Sequence, residues 1–288
     1  MKIAFSGLGV MGAPMAGHLI AAGHAVTGHN RSAVKAEAWA KKTGGTAAGS
    51  VAEAAQGVDL LILCVGNDDD VREVVGAALP ALAPGAAIVD HTTTSARVAR
   101  EMAVLAGERG VAFLDAPVSG GQAGAEAGKL SIMIGGDAEA LARVEPVLTV
   151  YAKAIRHMGP AGSGQLTKMA NQIAIAGVVQ GLAEAVHFAQ GAGLDTDAVY
   201  EAISQGAAQS WQMDNRWKTA AAGQFEFGFA VDWMRKDLGL VLDEARANGS
   251  HLAVTALVDQ FYSEVQAMGG ARWDTSSLAA RLQARKRR

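Results

Sequence analysis

The first half of the chain alternates short apolar runs with alanine-rich segments in which apolar residues recur at helical spacing. The apolar runs predict strands at residues 2–5, 25–27, 60–65, 86–90, 112–114 and 131–134. The segments between them predict helices at 11–22, 33–41, 69–78 and 94–109. Strands that alternate with helices are typical of a parallel sheet covered by helices, so we expect an α/β domain.

The pattern changes at the glycine-rich stretch 159–164, beyond which long helical segments replace the strands. Residues 165–190 contain no proline and carry apolar residues at helical spacing, which predicts a helix on the order of 40 Å long. We therefore expect an α/β domain at 1–162 and an all-α domain at 163–288, joined through this long interdomain helix. Gly177 and Gly181, four residues apart, would let another helix approach closely, so we expect a helix packed on both sides and a homo-oligomer.

Composition and charge argue against several classes of protein. The 25 Lys and Arg residues are balanced by 28 Asp and Glu, and the net charge of −3 predicts no nucleic-acid partner. A single cysteine and the lack of a secretory signal pattern lead us to expect a cytoplasmic protein. No apolar run approaches the roughly 20 residues of a spanning helix, so we expect no membrane partner. The seven histidines lack metal-site spacing, which predicts no metal, and residues 281–288 are expected to form a frayed tail.

A glycine-rich turn follows the first predicted strand and opens the first predicted helix. Its sequence is Gly7-Leu8-Gly9-Val10-Met11-Gly12. Glycines here allow a tight turn and the close approach of a pyrophosphate, while the amino end of the helix supplies N–H donors and a positive dipole. An ordinary glycine-rich loop is the alternative, but the order of strand, motif, helix and strand favours dinucleotide binding by these six residues.

The second predicted strand leads into Asn30, Arg31 and Ser32, about 20 residues beyond the glycines, where NAD-selective sites usually carry an acidic residue. Asn30 has no negative charge to repel a 2′-phosphate, and Arg31 can form paired hydrogen bonds with one. These residues therefore predict a site that prefers NADP(H), with NAD(H) as the other coenzyme to consider. The alternative is that Arg31 is a solvated surface residue.

Hydride transfer needs a group that exchanges a proton with the substrate oxygen. Lys168 is the best candidate, because it lies near the start of the long helix with Asn171 and Gln172 on the same face. Lysines on helices are more often solvated, so position alone does not select it. Ser119 and Gly120 follow the last parallel strand, where ligands of open α/β sheets bind, and a hydroxyl beside backbone N–H groups suits a carboxylate. A plain turn is the alternative there.

Four parts of the chain resemble the signatures of the β-hydroxyacid dehydrogenase family. The glycine-rich turn and residues 115–128 resemble its cofactor and substrate signatures. Its catalytic signature is similar to the set Gly159, Gly162, Gly164 and Lys168. Its carboxyl-terminal signature is similar to Lys236-Asp237-Leu238-Gly239 with Asp243. The family includes 3-hydroxyisobutyrate dehydrogenase, tartronate semialdehyde reductase, and glyoxylate and succinic semialdehyde reductases. The resemblance spans nearly the whole chain and implies a Rossmann-type doubly wound sheet followed by an all-α domain.

The resemblance also implies roles for individual residues. Lys168 would be the proton donor or acceptor. Substrate would be bound by Ser119, Gly120, Gln172 and Thr93. Cofactor contacts beyond the turn and residues 30–32 would come from Cys64, Val65, Thr93 and Lys236, although on chemistry alone Cys64 is a buried apolar residue.

Some positions depart from the family pattern or carry no assigned role. Gln172 stands where many members have asparagine, and His91-Thr92-Thr93-Thr94 replaces a serine-serine-threonine run. Trp211 and Trp233 are expected either to wall the substrate pocket or, as large aromatic side chains more often do, to lie in the core.

These residues predict an NADPH-preferring oxidoreductase, and the resemblance implies that it interconverts a small semialdehyde or oxoacid and its hydroxyacid. Its partner would be a small-molecule carboxylate substrate. One alternative is an imine reductase, which the presence of Lys168 disfavours. The other is a noncatalytic NADP-binding module, which Lys168, Ser119 and Lys236 disfavour.

Overall fold

The computed structural model describes residues 1–285 and divides the chain into two compact units. The first unit is Met1–Lys168, and the second begins at Met169. One long helix spans this division, so the domain boundary expected after residue 162 stays a prediction.

The first unit contains a nine-stranded, mostly parallel sheet and seven complete helices. Its strands are β1 (Lys2–Ser6), β2 (Ala25–His29), β3 (Thr46–Ala47), β4 (Leu60–Leu63), β5 (Ala87–Asp90), β6 (Ala112–Asp115), β7 (Val118–Ser119), β8 (Leu130–Gly135) and β9 (Ala152–Gly159). Its helices are α1 (Gly12–Ala21), α2 (Ala33–Thr43), α3 (Val51–Ala54), α4 (Asp68–Ala78), α5 (Ala96–Gly107), α6 (Gly121–Glu126) and α7 (Ala138–Leu148). Every predicted strand and helix occurs, whereas β3, β7, β9, α3, α6 and α7 were not predicted.

The strand order places the glycine-rich turn at a reversal of the sheet. The order is β3-β2-β1-β4-β5-β6-β8-β7, with β9 paired to β8. The pairs from β3 through β6 are parallel, whereas β8 runs antiparallel to β6. The carboxyl ends of β1 and β4 therefore flank the switch point at which ligands of doubly wound sheets bind. The predicted Rossmann-type fold is confirmed.

Alternate residues of the central strands belong to two different hydrophobic cores. In β1, Ile3 and Phe5 belong to one core and Ala4 to the other. The same alternation holds along β4, and all of these side chains are fully buried. Strands buried on both faces are typically continuous apolar runs, which explains why the sequence indicates them so clearly.

The second unit is all-helical, as predicted, apart from an isolated bridge between Ala230 and Asp274. The helix that spans the division is α8 (Ser163–Gly191), and it is followed by α9 (Thr196–Ile203), α10 (Trp211–Ala221), α11 (Val231–Asn248), α12 (Ala253–Ala267) and α13 (Leu278–Arg285). Within the described residues, α8 is the one helix long and apolar enough to cross a membrane by length and composition. Core helices of soluble proteins pass the same test, so this is weak evidence for a membrane span.

Of two local expectations about the later part of the chain, one stays a prediction and one is wrong. A Cβ atom at Gly177 or Gly181 would meet nothing within 4 Å among the described residues, so no helix of this chain packs closely there, and packing by a helix of a second copy stays a prediction. The expected frayed tail is helical as far as Arg285, and its first residue, Arg281, is buried with its guanidinium 3.6 Å from the centre of the Phe261 ring. The rest of that expected tail, residues 286–288, lies outside the described residues.

Candidate active site

The glycine-rich turn between β1 and α1 has the shape of a phosphate-binding site. Gly7 has a φ of +100°, and a Cβ there would lie 2.1 Å from the Cys64 carbonyl oxygen, so only glycine fits. A Cβ on Gly12 would lie 1.9 Å from the Gly7 carbonyl oxygen, at the point where the helix packs on the strand. A Cβ on Gly9 would meet nothing within 4 Å, so a pyrophosphate can approach the backbone there. This turn, directly before the amino end of α1, fits the phosphates of a dinucleotide.

Asn30 ties the end of β2 to this turn. The Leu8 N–H donates to Asn30 Oδ1 at 3.1 Å, and Asn30 Nδ2 donates to the Ser32 carbonyl oxygen at 3.3 Å. The Arg31 side chain is 87% exposed, and its Nη1 lies 3.3 Å from Asp70 Oδ1. The guanidinium expected to bind a 2′-phosphate therefore has a carboxylate partner that the sequence does not indicate.

Cys64 and Val65 follow β4 and are both half-buried. The Cys64 N–H donates to the Ser6 carbonyl oxygen at 2.9 Å, and its own carbonyl is the group that Gly7 approaches. The Val65 N–H donates to Thr92 Oγ1 at 3.0 Å. The two residues predicted to line the dinucleotide cleft therefore lie against the glycine-rich turn and the loop after β5.

Gln165, in the first turn of α8, holds the loop that carries Thr93. Its Nε2 donates to the Thr92 carbonyl oxygen at 2.7 Å, and its Oε1 accepts from the Thr94 N–H at 3.0 Å. Gln165 is fully buried, whereas Thr93 is half-buried. Thr93 thus lies between two backbone groups that one side chain holds.

A buried carboxylate at the end of β6 anchors the start of α8. Asp115 Oδ1 accepts from the Gly162 N–H at 2.8 Å, and Oδ2 accepts from the Gln165 N–H at 2.9 Å. Burial raises the pKa of Asp115, while backbone N–H donors act in the opposite direction. Lys168 follows Gln165 by three residues and is only 8% exposed. The predicted proton donor is therefore buried, near an anchored helix terminus.

His91 and Tyr151 form a buried pair that bonds to the backbone directly after β6. Since a carbonyl oxygen only accepts, His91 Nδ1 donates to the Ala116 carbonyl oxygen at 2.6 Å. Nε2 then accepts from the Tyr151 hydroxyl at 2.8 Å. Burial lowers the pKa of His91 to about 4, so the ring is neutral at physiological pH. The histidine that departs from the family pattern thus supports the strand end that leads to Ser119.

Ser119 and Gly120 form the junction between β7 and α6. Ser119 is half-buried and pairs with Ser131 of β8. Gly120 has a φ of +134° and is exposed, so a residue with a side chain would be strained there. The predicted carboxylate-binding residues therefore lie at a sharp turn beyond the sheet.

In the second unit, Asp237 joins two of the predicted site residues. Gln172 Nε2 donates to Asp237 Oδ2 at 2.7 Å, and Lys236 Nζ lies 3.2 Å from Asp237 Oδ1. Asn171 Nδ2 donates to Gln172 Oε1 at 2.8 Å, so both ends of the Gln172 amide have protein partners. Asp237 is buried, and although the sequence includes it in a signature, the pattern alone does not indicate this bridging role.

Trp211 and Trp233, which are expected in the pocket wall or in the core, are not core residues. Trp211 is 55% exposed and Trp233 is 42% exposed. Lys236 Nζ lies 5.8 Å from the centre of the Trp233 ring, so these two residues share one helical face. Within residues 1–285, no group of three His, Cys, Asp or Glu side chains is arranged to hold a metal ion.

Comparisons with known proteins agree with this architecture. Residues 2–159 match the family model described as the NAD binding domain of 6-phosphogluconate dehydrogenase. Residues 162–282 match the model described as NAD-binding of NADP-dependent 3-hydroxyisobutyrate dehydrogenase. An uncharacterized oxidoreductase of Shewanella frigidimarina is 61% identical over 98% of each chain.

Two further relatives have more specific names. An NAD-dependent L-serine dehydrogenase of Pseudomonas aeruginosa is 36% identical, over 96% of this chain and 95% of its own. The solved structure of Mycobacterium tuberculosis 3-hydroxyisobutyrate dehydrogenase with L-serine has a TM-score of 0.89 and 35% identity. That match covers 97% of this chain and 98% of the other.

The fold, the glycine-rich turn and these matches define an NAD(P)-dependent oxidoreductase. The chain belongs to the β-hydroxyacid dehydrogenase family and is a hydroxyacid dehydrogenase of the 3-hydroxyisobutyrate dehydrogenase type. The predicted family and enzyme class are confirmed, whereas the roles of individual residues stay predictions.

Proposed function

We propose that the enzyme interconverts a small semialdehyde or oxoacid and its hydroxyacid, with Lys168 as proton donor and acceptor and with a preference for NADP(H). The observation that carries this proposal is the burial of Lys168, which is 8% exposed. Lysines are rarely buried without a specific reason, and this one follows the helix turn that Asp115 anchors. L-serine in the names of two relatives supports a small carboxylate substrate.

The reaction would need a hydride from the coenzyme and a proton from Lys168. Bound NADPH would supply the hydride to the carbonyl carbon, and NADP⁺ would accept it in the reverse direction. The Lys168 ammonium group would donate its proton to the oxygen that becomes the hydroxyl, and water would reprotonate the amine. In the oxidation, the neutral amine would remove the hydroxyl proton.

The remaining predicted residues would bind and orient the reactants. The hydroxyl of Ser119 and the backbone N–H groups near Gly120 would bind the substrate carboxylate. Gln172 would hydrogen-bond the substrate, with its amide oriented by Asp237. Thr93 and Lys236 are proposed to contact cofactor and substrate.

The coenzyme preference rests on residues 30–32. Asn30 carries no charge that would repel a 2′-phosphate. Arg31 contacts Asp70 through one nitrogen, which leaves further guanidinium N–H donors to bind a phosphate. The name of the NAD-dependent relative makes NADH the coenzyme against which this preference has to be measured.

The proposal is tested by replacing Lys168 and assaying a substrate panel with both coenzymes in parallel, using NADPH and NADH for the reductions and NADP⁺ and NAD⁺ for the oxidation of L-serine. Lys168→Ala should lower kcat by about 10²–10⁴-fold because it removes the proton donor. NADPH affinity, measured by fluorescence titration, should change little. Lys153→Ala removes an exposed lysine of β9 and is the matched control. Near-normal kcat in Lys168→Ala would overturn the assigned role.

The panel contains glyoxylate, succinic semialdehyde, L-serine and a cyclic imine. Reduction of glyoxylate or succinic semialdehyde, or oxidation of L-serine, supports the proposal. Turnover of the imine alone would instead favour an imine reductase. NADPH binding without turnover of any compound would favour a noncatalytic module.

We also propose that the enzyme acts in the cytoplasm as a homo-oligomer, without nucleic-acid or membrane partners. Val178 and Phe188, which are 41% and 72% exposed, are apolar residues of α8 that support association. Light scattering of the purified protein tests the oligomeric state, and a monomeric mass at assay concentration would contradict the proposed homo-oligomer.

A further inference from the structure

One side chain, Gln165, connects the loop after β5 to the helix turn that precedes Lys168. Its carboxamide donates to the Thr92 carbonyl oxygen at 2.7 Å and accepts from the Thr94 N–H at 3.0 Å. These are the two backbone groups on either side of Thr93. The amide thus pairs with the loop as a neighbouring backbone strand would, and it fixes the peptide units on both sides of Thr93.

Gln165 is itself held in place from a third direction. Its backbone N–H donates to Asp115 Oδ2 at 2.9 Å, and Asp115 Oδ1 accepts from the Gly162 N–H at 2.8 Å. The loop is held from its other side, because Thr92 Oγ1 accepts from the Val65 N–H at 3.0 Å. The carboxamide therefore bridges two segments that are each already anchored to the sheet.

Glutamine is well suited to this position. The loop offers one acceptor and one donor, and a carboxamide supplies one donor and one acceptor in a single plane. An ionised carboxylate would have two acceptors, one of them facing the Thr92 carbonyl oxygen. An apolar side chain would leave both backbone groups buried without their partner. Gln165 is fully buried, so water cannot readily replace the lost bonds.

We propose that Gln165 is a positioning residue for the reaction, holding Thr93 in a fixed relation to the turn of α8 that leads to Lys168. This inference rests on the proposed function, in which Lys168 transfers the proton and Thr93 contacts cofactor and substrate. Gln165 itself contacts neither reactant. It acts by keeping the loop and the helix turn from moving independently, and small displacements of reacting groups are costly to turnover.

The first test compares Gln165→Met, which is similar in length and makes neither hydrogen bond, with the unmodified enzyme. We expect kcat to fall by about 10²-fold, as for a misplacement of about 1 Å. The NADPH dissociation constant should rise by less than about tenfold, because the glycine-rich turn is untouched and only the contact of Thr93 with the cofactor is disturbed. Thermal unfolding without coenzyme shows whether the variant is folded.

The second test uses Gln165→Glu and the dependence of kcat on pH. Burial and the neighbouring Asp115 carboxylate raise the pKa of the introduced carboxyl group, and Asp90, which accepts from the Thr92 N–H, acts in the same direction. Lys168 and Arg100, whose Nε lies close to Gly162, act in the opposite direction. Once protonated, the carboxyl group can donate to Thr92 and accept from Thr94, as the amide does. The ratio of variant to wild-type kcat should therefore rise as pH falls through that pKa.

The matched control is Gln190→Glu, which introduces a carboxyl group at another glutamine of α8 that donates to a backbone carbonyl oxygen, that of Ala221, and does not bond the loop. It should show no recovery at low pH. A Gln165→Glu variant whose kcat is equally low at every pH would refute positioning through the bonds to Thr92 and Thr94. If Gln165→Met fails to fold, the pH profile of Gln165→Glu decides the question alone.

Failure of this inference can be told apart from failure of the proposed function. If Lys168→Ala is inactive while both Gln165 variants turn over like the wild type near pH 7.5, only the positioning role is refuted. If Lys168→Ala remains active, the proposed function is overturned, and the positioning role falls with it.

Discussion

Two glycines of the β1–α1 turn, Gly9 and Gly12, should respond in different ways to the same substitution, alanine for glycine. At Gly9 the added methyl group meets nothing within 4 Å, and this residue does not adopt a positive φ. Gly9→Ala should therefore leave the free energy of unfolding unchanged or raise it by up to about 1 kcal/mol, since alanine restricts the unfolded chain. The methyl group would occupy the space that a pyrophosphate needs. We expect NADPH affinity to fall at least about tenfold, which corresponds to 1.4 kcal/mol.

At Gly12 the same methyl group would lie 1.9 Å from the Gly7 carbonyl oxygen and 2.9 Å from the Phe5 ring. Backbone atoms cannot yield as a flexible side chain can, so Gly12→Ala should destabilise the protein by about 1–3 kcal/mol. That loss would lower Tm by roughly 2–4 °C per kcal/mol for a unit of this size.

The assay measures Tm without coenzyme and NADPH affinity by fluorescence titration, for each variant. Gly17→Ala is the control on the same helix, because its methyl group would make ordinary contact, 3.7 Å from Thr43 Cγ2. It should leave NADPH affinity unchanged and raise Tm slightly, because alanine is favoured over glycine in a helix interior by about 1 kcal/mol. A Gly9→Ala variant that binds NADPH as tightly as the wild type would refute the assignment of this turn as the pyrophosphate site.

Two further predictions concern charge. Arg31→Ala should weaken NADPH binding by about 1.5–3 kcal/mol and leave NADH binding nearly unchanged. Asp70→Asn should strengthen NADPH binding roughly two- to fivefold, because it removes a carboxylate that competes for Arg31. Equal effects of either substitution on both coenzymes would contradict the proposed 2′-phosphate contact. Burial lowers the pKa of His91 to about 4, below its ordinary value of 6.5, so the unfolded chain takes up a proton that the folded protein excludes as pH falls between these values. The unfolding free energy should fall by about 3 kcal/mol over that range through this group, and urea denaturation of His91→Asn should lack this part of the pH dependence.

The sequence indicates the central sheet well and its far edge poorly, for a physical reason. The strands β1, β4 and β5 are almost entirely buried, so they are continuous apolar runs. By contrast, β9 is an edge strand whose polar side chains face solvent, including Lys153, Arg156 and His157. The helix α7 contains Pro146, which counts against a helix in any sequence pattern.

Some residues of the candidate site can also be proposed from the sequence, whereas others cannot. Residues within contiguous motifs, such as the glycine-rich turn, can be proposed from sequence because their local spacing carries the signal. The groups that orient them come from distant parts of the chain: Gln165 bonds the loop 71 residues before it, and Asp237 bonds Gln172 across 65 residues. No local pattern encodes such pairs. The one available signal for Gln165 was a polar residue one turn before Lys168 in an otherwise apolar helix.

The irregular loops around the carboxyl edge of the sheet are made rigid by side chains that bond to backbone. Asn30 holds the glycine-rich turn, Thr92 holds the end of β4, and Asp115 holds the start of α8. Each bond satisfies a backbone N–H that has no strand or helix partner, so these loops keep a defined shape without regular secondary structure. Because successive loops share these residues, a change at one of them should displace its neighbours as well. The effects of substitutions at Thr92, Asp115 and Gln165 on turnover should therefore be non-additive, since all three belong to one hydrogen-bonded network.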